Sequence, residues 1–155
     1  MIIDTLKTSL ANHVECWLTV QGYHWNVTGE QFVTMHKMFG EVYQFYLDQV
    51  DPIGEYIRKI TENAEFVNPA MDVLQKNKTI AGELVVGDPV EMCKEILKLN
   101  NLMLTEYRKI SDEAIKENLI ELAIDFCKNH MKPEGALVAK VFHGSGYSQL
   151  VVMFK

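Results

Sequence analysis

Two histidines and two carboxylates in the N-terminal half of the chain are of the types that bind metal ions. His24 is followed by His36, and Asp51 and Glu55 lie further along, four positions apart and therefore on one face of a helix. Imidazole and carboxylate groups together suit borderline or hard divalent ions such as iron, manganese or zinc. The four residues are therefore candidate metal ligands.

The spacing of these residues limits how they could meet. His36 and Asp51 belong to one predicted helix, on which they would lie about 22 Å apart along the axis. One chain with a continuous helix cannot place both on the same metal ion. A second, antiparallel copy would bring His36 of one subunit beside Asp51 and Glu55 of the other, and two-fold symmetry would create two equivalent sites. If all four residues are ligands, the sequence predicts a dimer.

The same four residues also have simpler interpretations. An isolated Asp-x-x-x-Glu pair is usually a solvated helix face, and His24 could be a capping or core histidine. A metal site inside one bundle would need Glu-x-x-His pairs on two helices, and the nearest candidate, Glu15, has Leu18 where the histidine should be. The other histidines lack matching partners and are interpreted as structural or surface residues: His13, His130 and His143.

Apolar spacing predicts the helices that carry these residues. A first amphipathic helix is predicted over residues 2–27 and a second over residues 31–61, with a turn at residues 26–29. Pro52 lies inside the second helix and is expected to kink it. The apolar positions of the first helix are three or four apart: Ile3, Leu6, Leu10, Val14, Trp17, Leu18 and Trp25.

Two more long helices are predicted after a linker that holds a short helix over residues 69–76. A third long helix begins with Asp88 as N-cap and continues to about residue 112, and a fourth covers residues 113–131. This order predicts an all-α fold, a four-helix bundle with one crossover connection.

The domain is predicted to end near residue 132. Residues 1–132 form the bundle, and residues 133–155 form a tail in which proline and glycine break any helix. The tail ends in a short, apolar, strand-like run over residues 150–154.

Composition and charge exclude several classes of protein. The 155-residue chain has 48% hydrophobic residues and a formal net charge of −6, which fits one folded domain. Its cysteines, Cys16, Cys93 and Cys127, form no Cys-x-x-Cys pair and indicate reduced thiols in a cytoplasm. The N-terminus lacks the pattern of a signal peptide, and no apolar stretch reaches the ~18 residues that span a bilayer.

One continuous pattern around the histidines is specific. The chain reads HWNVTGEQFVTMHKMF over residues 24–39, followed by Asp51 and Glu55. This resembles the Dps-type (DNA protection during starvation) miniferritins of the ferritin-like superfamily, whose pattern is His-Trp-Asn-x-x-Gly-x-x-Phe-x-x-x-His-x-x-Phe with an Asp-x-x-x-Glu on the same helix. The likeness covers roughly residues 5–131 and is strongest from 20 to 60.

The resemblance implies a fold, a reaction and a set of ligands. It implies a four-helix bundle with a short helix in the middle connection, and a hollow dodecamer in which Fe(II) is oxidised, preferentially by hydrogen peroxide, and stored as Fe(III) mineral. His24 and His36 would bind the iron from one chain, and Asp51 and Glu55 from its neighbour. Trp25 would donate an electron and quench radicals, with interface packing as the simpler role. Zinc is the alternative occupant of the site.

The chain departs from the family pattern in three places. Gly40 stands where the family usually has Asp or Glu, which should weaken a second iron position, and Glu41 lies ~100° away around the helix and is not assigned as a ligand. Pro52 and Gly54 lie between Asp51 and Glu55 and could alter the direction of this acidic pair. Residues 133–155 match no part of the family and are either a lineage-specific extension or the product of a shifted reading frame.

Two functions therefore compete, and a third, another ferritin-like metalloprotein with its site inside each bundle, is disfavoured by the missing Glu-x-x-His pairs. The first is an iron-oxidising, iron-storing miniferritin, and the second, because of Gly40, is a structural shell or interaction protein with a degraded oxidase centre. DNA binding does not carry over from the family, because the charge is negative and neither terminus is rich in Lys or Arg. A gel shift that shows stable complexes at moderate salt would reverse this prediction.

Overall fold

The computed structural model describes residues 2–75, 80–81, 88–117, 119 and 124. Four α-helices lie in this part of the chain: α1 (Ile2–Asn26), α2 (Phe32–Ile60), the short α3 (Pro69–Gln75) and α4 (Pro89–Lys116). The described residues contain no strand, so the prediction of an all-α fold is confirmed.

The helix boundaries agree closely with those predicted, with one exception. α1, α2 and α3 each begin and end within one residue of the predicted positions. α4 continues through Lys116, so it includes the first residues assigned to a fourth long helix. Apart from residues 117, 119 and 124, the rest of that predicted helix lies outside the described residues, as does the tail at 133–155.

The start of α4 shows why its sequence forms a helix at this point. Asp88 Oδ1 accepts the backbone N–H of Val90 at 2.9 Å and that of Glu91 at 3.4 Å. Pro89 occupies the first helical position, where no intrahelical N–H is required. The predicted N-cap is therefore confirmed.

The chain divides into two compact units, one of residues 6–104 and one of residues 1–5 with 105–155. In the second unit, the backbone N–H of Ile2 donates to Glu117 Oε1 at 3.0 Å. The first unit contains all four candidate metal ligands.

Ring contacts join α2 to α1 in the first unit, and three of them show that the order of contacts along the two helices is reversed. The pairs are His36 with His24, Phe39 with Tyr23, and Tyr46 with His13. Because positions that increase along α2 meet positions that decrease along α1, the two helices are antiparallel. A short turn between them is therefore sufficient.

The contacts from α2 to α4 keep the same order along both helices. The thiol of Cys93 lies 3.9 Å from the thioether of Met35, and the Tyr46 hydroxyl donates to Asn100 Oδ1. The two helices are therefore parallel, and parallel neighbours require a long crossover, which residues 61–88 provide. The predicted crossover connection is confirmed.

Side chains of α1 hold this crossover in place. Glu15 Oε1 accepts the backbone N–H groups of Ile80 and Ala81 at 2.6 and 2.7 Å. Nearer the start of α1, Lys7 Nζ lies 2.6 Å from Glu65 Oε2 in a half-exposed ion pair. The crossover is therefore attached to α1 at two separate points.

Two apolar residues of α1 do not face the core as their spacing suggested. Leu6 and Leu10 are fully buried, but Leu18 is 51% and Trp25 68% exposed. Leu18 and Trp25 are seven positions apart, so they share a side of α1, and that side lies opposite the buried one. They form an uncovered apolar strip beside the histidines.

Removing the Tyr46 hydroxyl should destabilise the first unit. This ring is fully buried, its hydroxyl donates to Asn100, and burial raises its pKa far above the ordinary value, so it remains a donor. Tyr46→Phe leaves the Asn100 oxygen without this donor, and we expect a loss of about 1–3 kcal/mol in the free energy of unfolding. Urea unfolding at one protein concentration measures this loss, and Tyr43→Phe, at a half-buried position, is the control. Equal stability of the two variants would contradict the role of the hydrogen bond.

Candidate metal centre

The end of α1 and the start of α2 bring His24 and His36 together. Residues 27–31 form the turn between the helices, in which Gly29 has φ +97°, a conformation that glycine adopts without strain. The backbone N–H of Phe32 donates to the Gly29 carbonyl at 3.1 Å. This tight turn places the last residues of α1 against the first turns of α2.

The two imidazole rings are held by a reciprocal pair of hydrogen bonds. His24 Nδ1 lies 2.6 Å from the carbonyl oxygen of His36, and His36 Nδ1 lies 2.8 Å from the carbonyl oxygen of His24. Since a carbonyl can only accept, both Nδ1 atoms donate, and the neutral rings therefore carry their lone pairs on Nε2. This is the tautomer that binds a metal ion through Nε2, with the other nitrogen held by a backbone carbonyl.

The rings also stack, which fixes their planes. The centroids of His24 and His36 are 3.6 Å apart at an interplanar angle of 25°. Phe32 stacks on His36 at 5.0 Å, and Tyr43 packs edge-on against His24 at 5.3 Å. Both Nε2 atoms are therefore presented by rings that have little freedom to rotate.

The acidic pair lies elsewhere on α2, in a cleft beside the crossover. Asp51 and Glu55 are exposed and line a cleft of about 670 Å³. The cleft also contains the cations of Arg58 and Lys59 and the 82% exposed ring of Phe66. Among the described residues, neither carboxylate has a hydrogen bond or an ion pair, so both can accept an external ligand.

The structure does not bring the histidines and the acids together within one chain. α2 continues through Pro52 from Phe32 to Ile60, so the condition of one continuous helix is met, and about 22 Å of helix separates His36 from Asp51. In the part of the chain that the structure describes, no three His, Cys, Asp or Glu side chains could hold a metal ion. A complete four-ligand site would need a second copy.

Two neighbours of the candidate ligands, Glu41 and Trp25, are exposed. Glu41, the acid next to Gly40, is largely exposed and lies 3.9 Å from Lys37 in a surface ion pair. Trp25, the predicted electron donor, directly follows His24 and projects into solvent.

Of the helices in the described ranges, none is long and apolar enough to cross a membrane.

Sequence reasoning found the two histidines but missed what surrounds them. Phe32, His36, Gly40 and Tyr43 are spaced four, four and three apart, so they lie along one stripe of α2. His24 packs on this stripe. The spacing was visible in the sequence and could have indicated the platform, but the reciprocal backbone hydrogen bonds left no signal there.

Solved structures with the same fold include several Dps proteins. The chain is similar to the Dps of Listeria monocytogenes (TM-score 0.68, 17% identity, 83% of this chain and 85% of that one). It is also similar to the DPS protein of Vibrio cholerae O1, described as a member of a broad superfamily of ferritin-like diiron-carboxylate proteins (TM-score 0.64, 21% identity, 83% and 81%). The CAIP protein of Helicobacter cinaedi matches with TM-score 0.71 at 18% identity, over 84% and 90% of the two chains.

A short segment of the chain is similar to a second group of proteins, the ribosomal RNA large subunit methyltransferases. The ribosomal RNA large subunit methyltransferase E of Leptothrix cholodnii is 62% identical over 47 residues, and that of Variovorax paradoxus is 67% identical over 45 residues. These segments cover 30% and 29% of this chain, and the chain spans about a fifth of the length of these relatives.

The profile of the ferritin-like domain family matches residues 3–132. The methyltransferase-like segment is longer than the stretch this match leaves at either end, so the two likenesses share residues. The ferritin match covers most of the chain and agrees with the helices, their directions and the crossover. The chain therefore belongs to the ferritin-like domain family, and its fold is that of the Dps-type miniferritins.

Proposed function

We propose that this chain is a miniferritin that binds and oxidises Fe(II) between two copies and stores the Fe(III) as mineral inside a hollow shell of twelve. His24 and His36 of one copy and Asp51 and Glu55 of its neighbour would bind the iron, which is the substrate. The observation that carries the proposal is the reciprocal hydrogen bonding of the two histidines, because it leaves both Nε2 atoms free to bind a cation.

The chemistry of the four ligands fits this reaction. Two neutral imidazoles bind Fe(II), and two carboxylates add the negative charge that favours Fe(III), so the set stabilises the oxidised product. With peroxide as the preferred oxidant, two Fe(II), one hydrogen peroxide and two waters give two FeOOH units of mineral and four protons. Both electrons that peroxide needs then come from iron, and no hydroxyl radical is released.

Trp25 would protect the site when only one Fe(II) is present. One Fe(II) reduces peroxide to hydroxide and a hydroxyl radical, and Trp25 would give that radical one electron, which yields hydroxide and an indole cation radical. Its position next to His24 and its 68% exposure support this role. Packing of the indole against the second copy is the simpler alternative.

The proposed compartment is a reducing cytoplasm. Neither of the two cysteines that the structure describes, Cys16 and Cys93, forms a disulfide, which agrees with such a compartment. Zinc is the alternative occupant, and because Zn²⁺ has no redox chemistry its addition should block oxidation of Fe(II).

Oxidation of Fe(II) by the metal-free protein tests the proposal. Fe(II) is added without oxygen and then hydrogen peroxide or dioxygen is supplied, while the formation of Fe(III) is followed. We expect the double variant His24→Ala/His36→Ala to oxidise at least about tenfold more slowly than wild type, and Glu41→Gln, a surface acid paired with Lys37, to match wild type. Equal rates in wild type and the double variant would reject the proposal.

The second candidate function, a shell without oxidase activity, rests on Gly40. The particle mass in solution and the iron content per subunit after loading separate storage from other roles. A large hollow assembly that holds many irons per chain supports storage, whereas a large assembly that takes up none supports the structural shell. A monomer or a simple dimer with at most two irons contradicts both.

The methyltransferase-like segment adds no activity to this proposal. Its relatives are about five times longer than the part they share with this chain, so the shared part is only a fragment of such an enzyme. Because the ferritin pattern is strongest at residues 20–60 and is lost after residue 132, we infer that this segment lies towards the C-terminus. The particle mass tests most directly whether subunits of the shell contact each other through this part of the chain.

A further inference from the structure

We propose that the cleft beside the crossover receives the Trp25 indole of the second copy, which stacks on Phe66 and holds together the two subunits that share the metal site. The proposal rests on the shared site of the proposed function and deepens it, because it names the contact that joins the two halves of that site. Phe66 itself supplies no metal ligand.

Trp25 and Phe66 are two large aromatic side chains that the single chain leaves in water. The indole of Trp25 is 68% exposed, and the ring of Phe66 is 82% exposed. Aromatic side chains bury more apolar area than most residues and dominate the energetics of interfaces. A contact that covers both rings at once therefore favours association of two copies.

The shared metal site determines where the second copy's Trp25 must lie. Bonds from a metal ion to imidazole or carboxylate are about 2.0–2.2 Å long in zinc sites, so the second copy's His24 meets Asp51 and Glu55 through a single ion. Trp25 is the next residue, with its Cα atom about 3.8 Å from that of His24. Since Asp51 and Glu55 line the cleft, the indole begins at the edge of the cleft.

The cleft has the size and the chemistry that suit an indole. Its volume of about 670 Å³ lies within the range of ~300–1,000 Å³ typical of small-molecule pockets. Val50 and Val67 add apolar walls beside Phe66, and Arg58 and Lys59 supply cations. Cations are attracted to the face of tryptophan more strongly than to that of the other aromatic residues. The cleft therefore offers an indole both stacking and cation–π contacts.

Hydrogen bonds already hold Phe66 at the edge of the cleft. Arg58 Nη1 donates to the carbonyl oxygen of Glu65, the residue before Phe66. Lys7 Nζ lies 2.6 Å from Glu65 Oε2, and the backbone N–H of Glu65 donates to the Thr61 hydroxyl at 3.4 Å. Because three partners fix Glu65, the cleft is formed before the second copy binds, and less conformational entropy is lost on docking.

Two-fold symmetry places one such contact beside each of the two metal sites of a dimer. Because aromatic stacking needs no metal ion, the contact forms in the metal-free protein. The indole remains next to His24, so the proposed electron transfer to a radical is compatible with it. If another molecule occupied the cleft instead, Trp25 would stay exposed when two copies associate.

The test uses the metal-free full chain with Trp17→Phe, so that Trp25 is the only tryptophan. Association is followed by particle mass over a dilution series, and the exposure of Trp25 by its emission wavelength and by acrylamide quenching. As copies associate, we expect emission at shorter wavelength and weaker quenching. Adding Phe66→Ala should raise the dissociation constant about 30-fold or more and leave Trp25 open to quenching. The control Leu97→Ala, which truncates a 60% exposed side chain of α4, should stay within about twofold.

A second variant separates this contact from a general loss of stability. Trp25→Ala removes the other ring, and particle mass measures its association. The double variant Trp25→Ala/Phe66→Ala should associate no more than about twofold more weakly than either single variant, because one contact cannot be lost twice. Effects that multiply in the double variant would overturn the inference, since the two rings would then act separately.

The outcomes separate this inference from the function on which it rests. If Trp25 stays open to quenching in the associated parent protein, or if Phe66→Ala associates like the parent, the inference fails, whatever the protein does with iron. If the expected changes appear while wild type oxidises no Fe(II), the contact stands and the proposed ferroxidase function fails. A chain that stays monomeric at every concentration overturns both.

Discussion

A mixture of two inactive variants is expected to regain about a quarter of the wild-type rate of Fe(II) oxidation. One variant, His24→Ala/His36→Ala, lacks the imidazoles, and the other, Asp51→Asn/Glu55→Gln, lacks the charged carboxylates. A two-fold dimer that contains one of each has one site with all four ligands and one site with none. Random pairing makes half of the dimers mixed, and half of the sites in those dimers are complete.

The control for this experiment is each variant alone, unfolded and refolded in the same way as the mixture. Neither should gain activity, because a dimer of identical variants has no complete site. Dimer formation in the mixture is checked with subunits that carry different tags. If mixed dimers form and oxidise no faster than the separate variants, the ligands do not come from two chains and the shared site is wrong.

Much of the fold could be predicted because helix formation in this chain is encoded locally. The three- and four-residue apolar spacing, the Asp88 cap and the proline after it act within one or two turns, and the structure places α1 to α4 where they indicate. The spacing from His36 to Asp51 along a continuous helix also follows from local geometry. These features need no knowledge of how the helices pack.

Other features of the structure depend on how the helices pack, and local sequence patterns did not predict them. Leu18 and Trp25 fit an apolar stripe by spacing, but the buried side of α1 is selected by the elements that pack on it, α2 among them, and both residues lie outside it. The tautomer of His24 depends on a carbonyl that is twelve residues away along the chain. The close approach of the His24 ring to Gly40 depends on the turn that packs α1 against α2.

The C-terminal part shows where a local pattern becomes ambiguous. The sequence predicts a helix that ends near residue 112 and another that begins at residue 113, but the structure continues α4 through Lys116. Glu113 and Lys116 are compatible with a helix interior, and nothing between them stops propagation. The ferritin and methyltransferase likenesses share residues in this chain, so a sequence pattern alone cannot assign those residues to one fold.

Glu55→Gln should nearly abolish oxidation of Fe(II) and leave the metal-free protein about as stable as wild type. Glutamine keeps the size of the side chain but removes the charge that binds iron, and we expect the rate to fall by about 100-fold. Glu55 lies one turn from Asp51, which repels it, and one turn from Lys59, which attracts it, so the two effects oppose each other and neutralising Glu55 should change the free energy of unfolding by less than about 0.5 kcal/mol. Rates with subsaturating Fe(II) and urea unfolding of the metal-free protein measure the two effects, with Glu62→Gln as a control at an exposed position just after α2. A large loss of activity without a loss of stability marks a residue kept for function. A Glu55→Gln protein with the wild-type rate would show that the acid is only part of a solvated helix face.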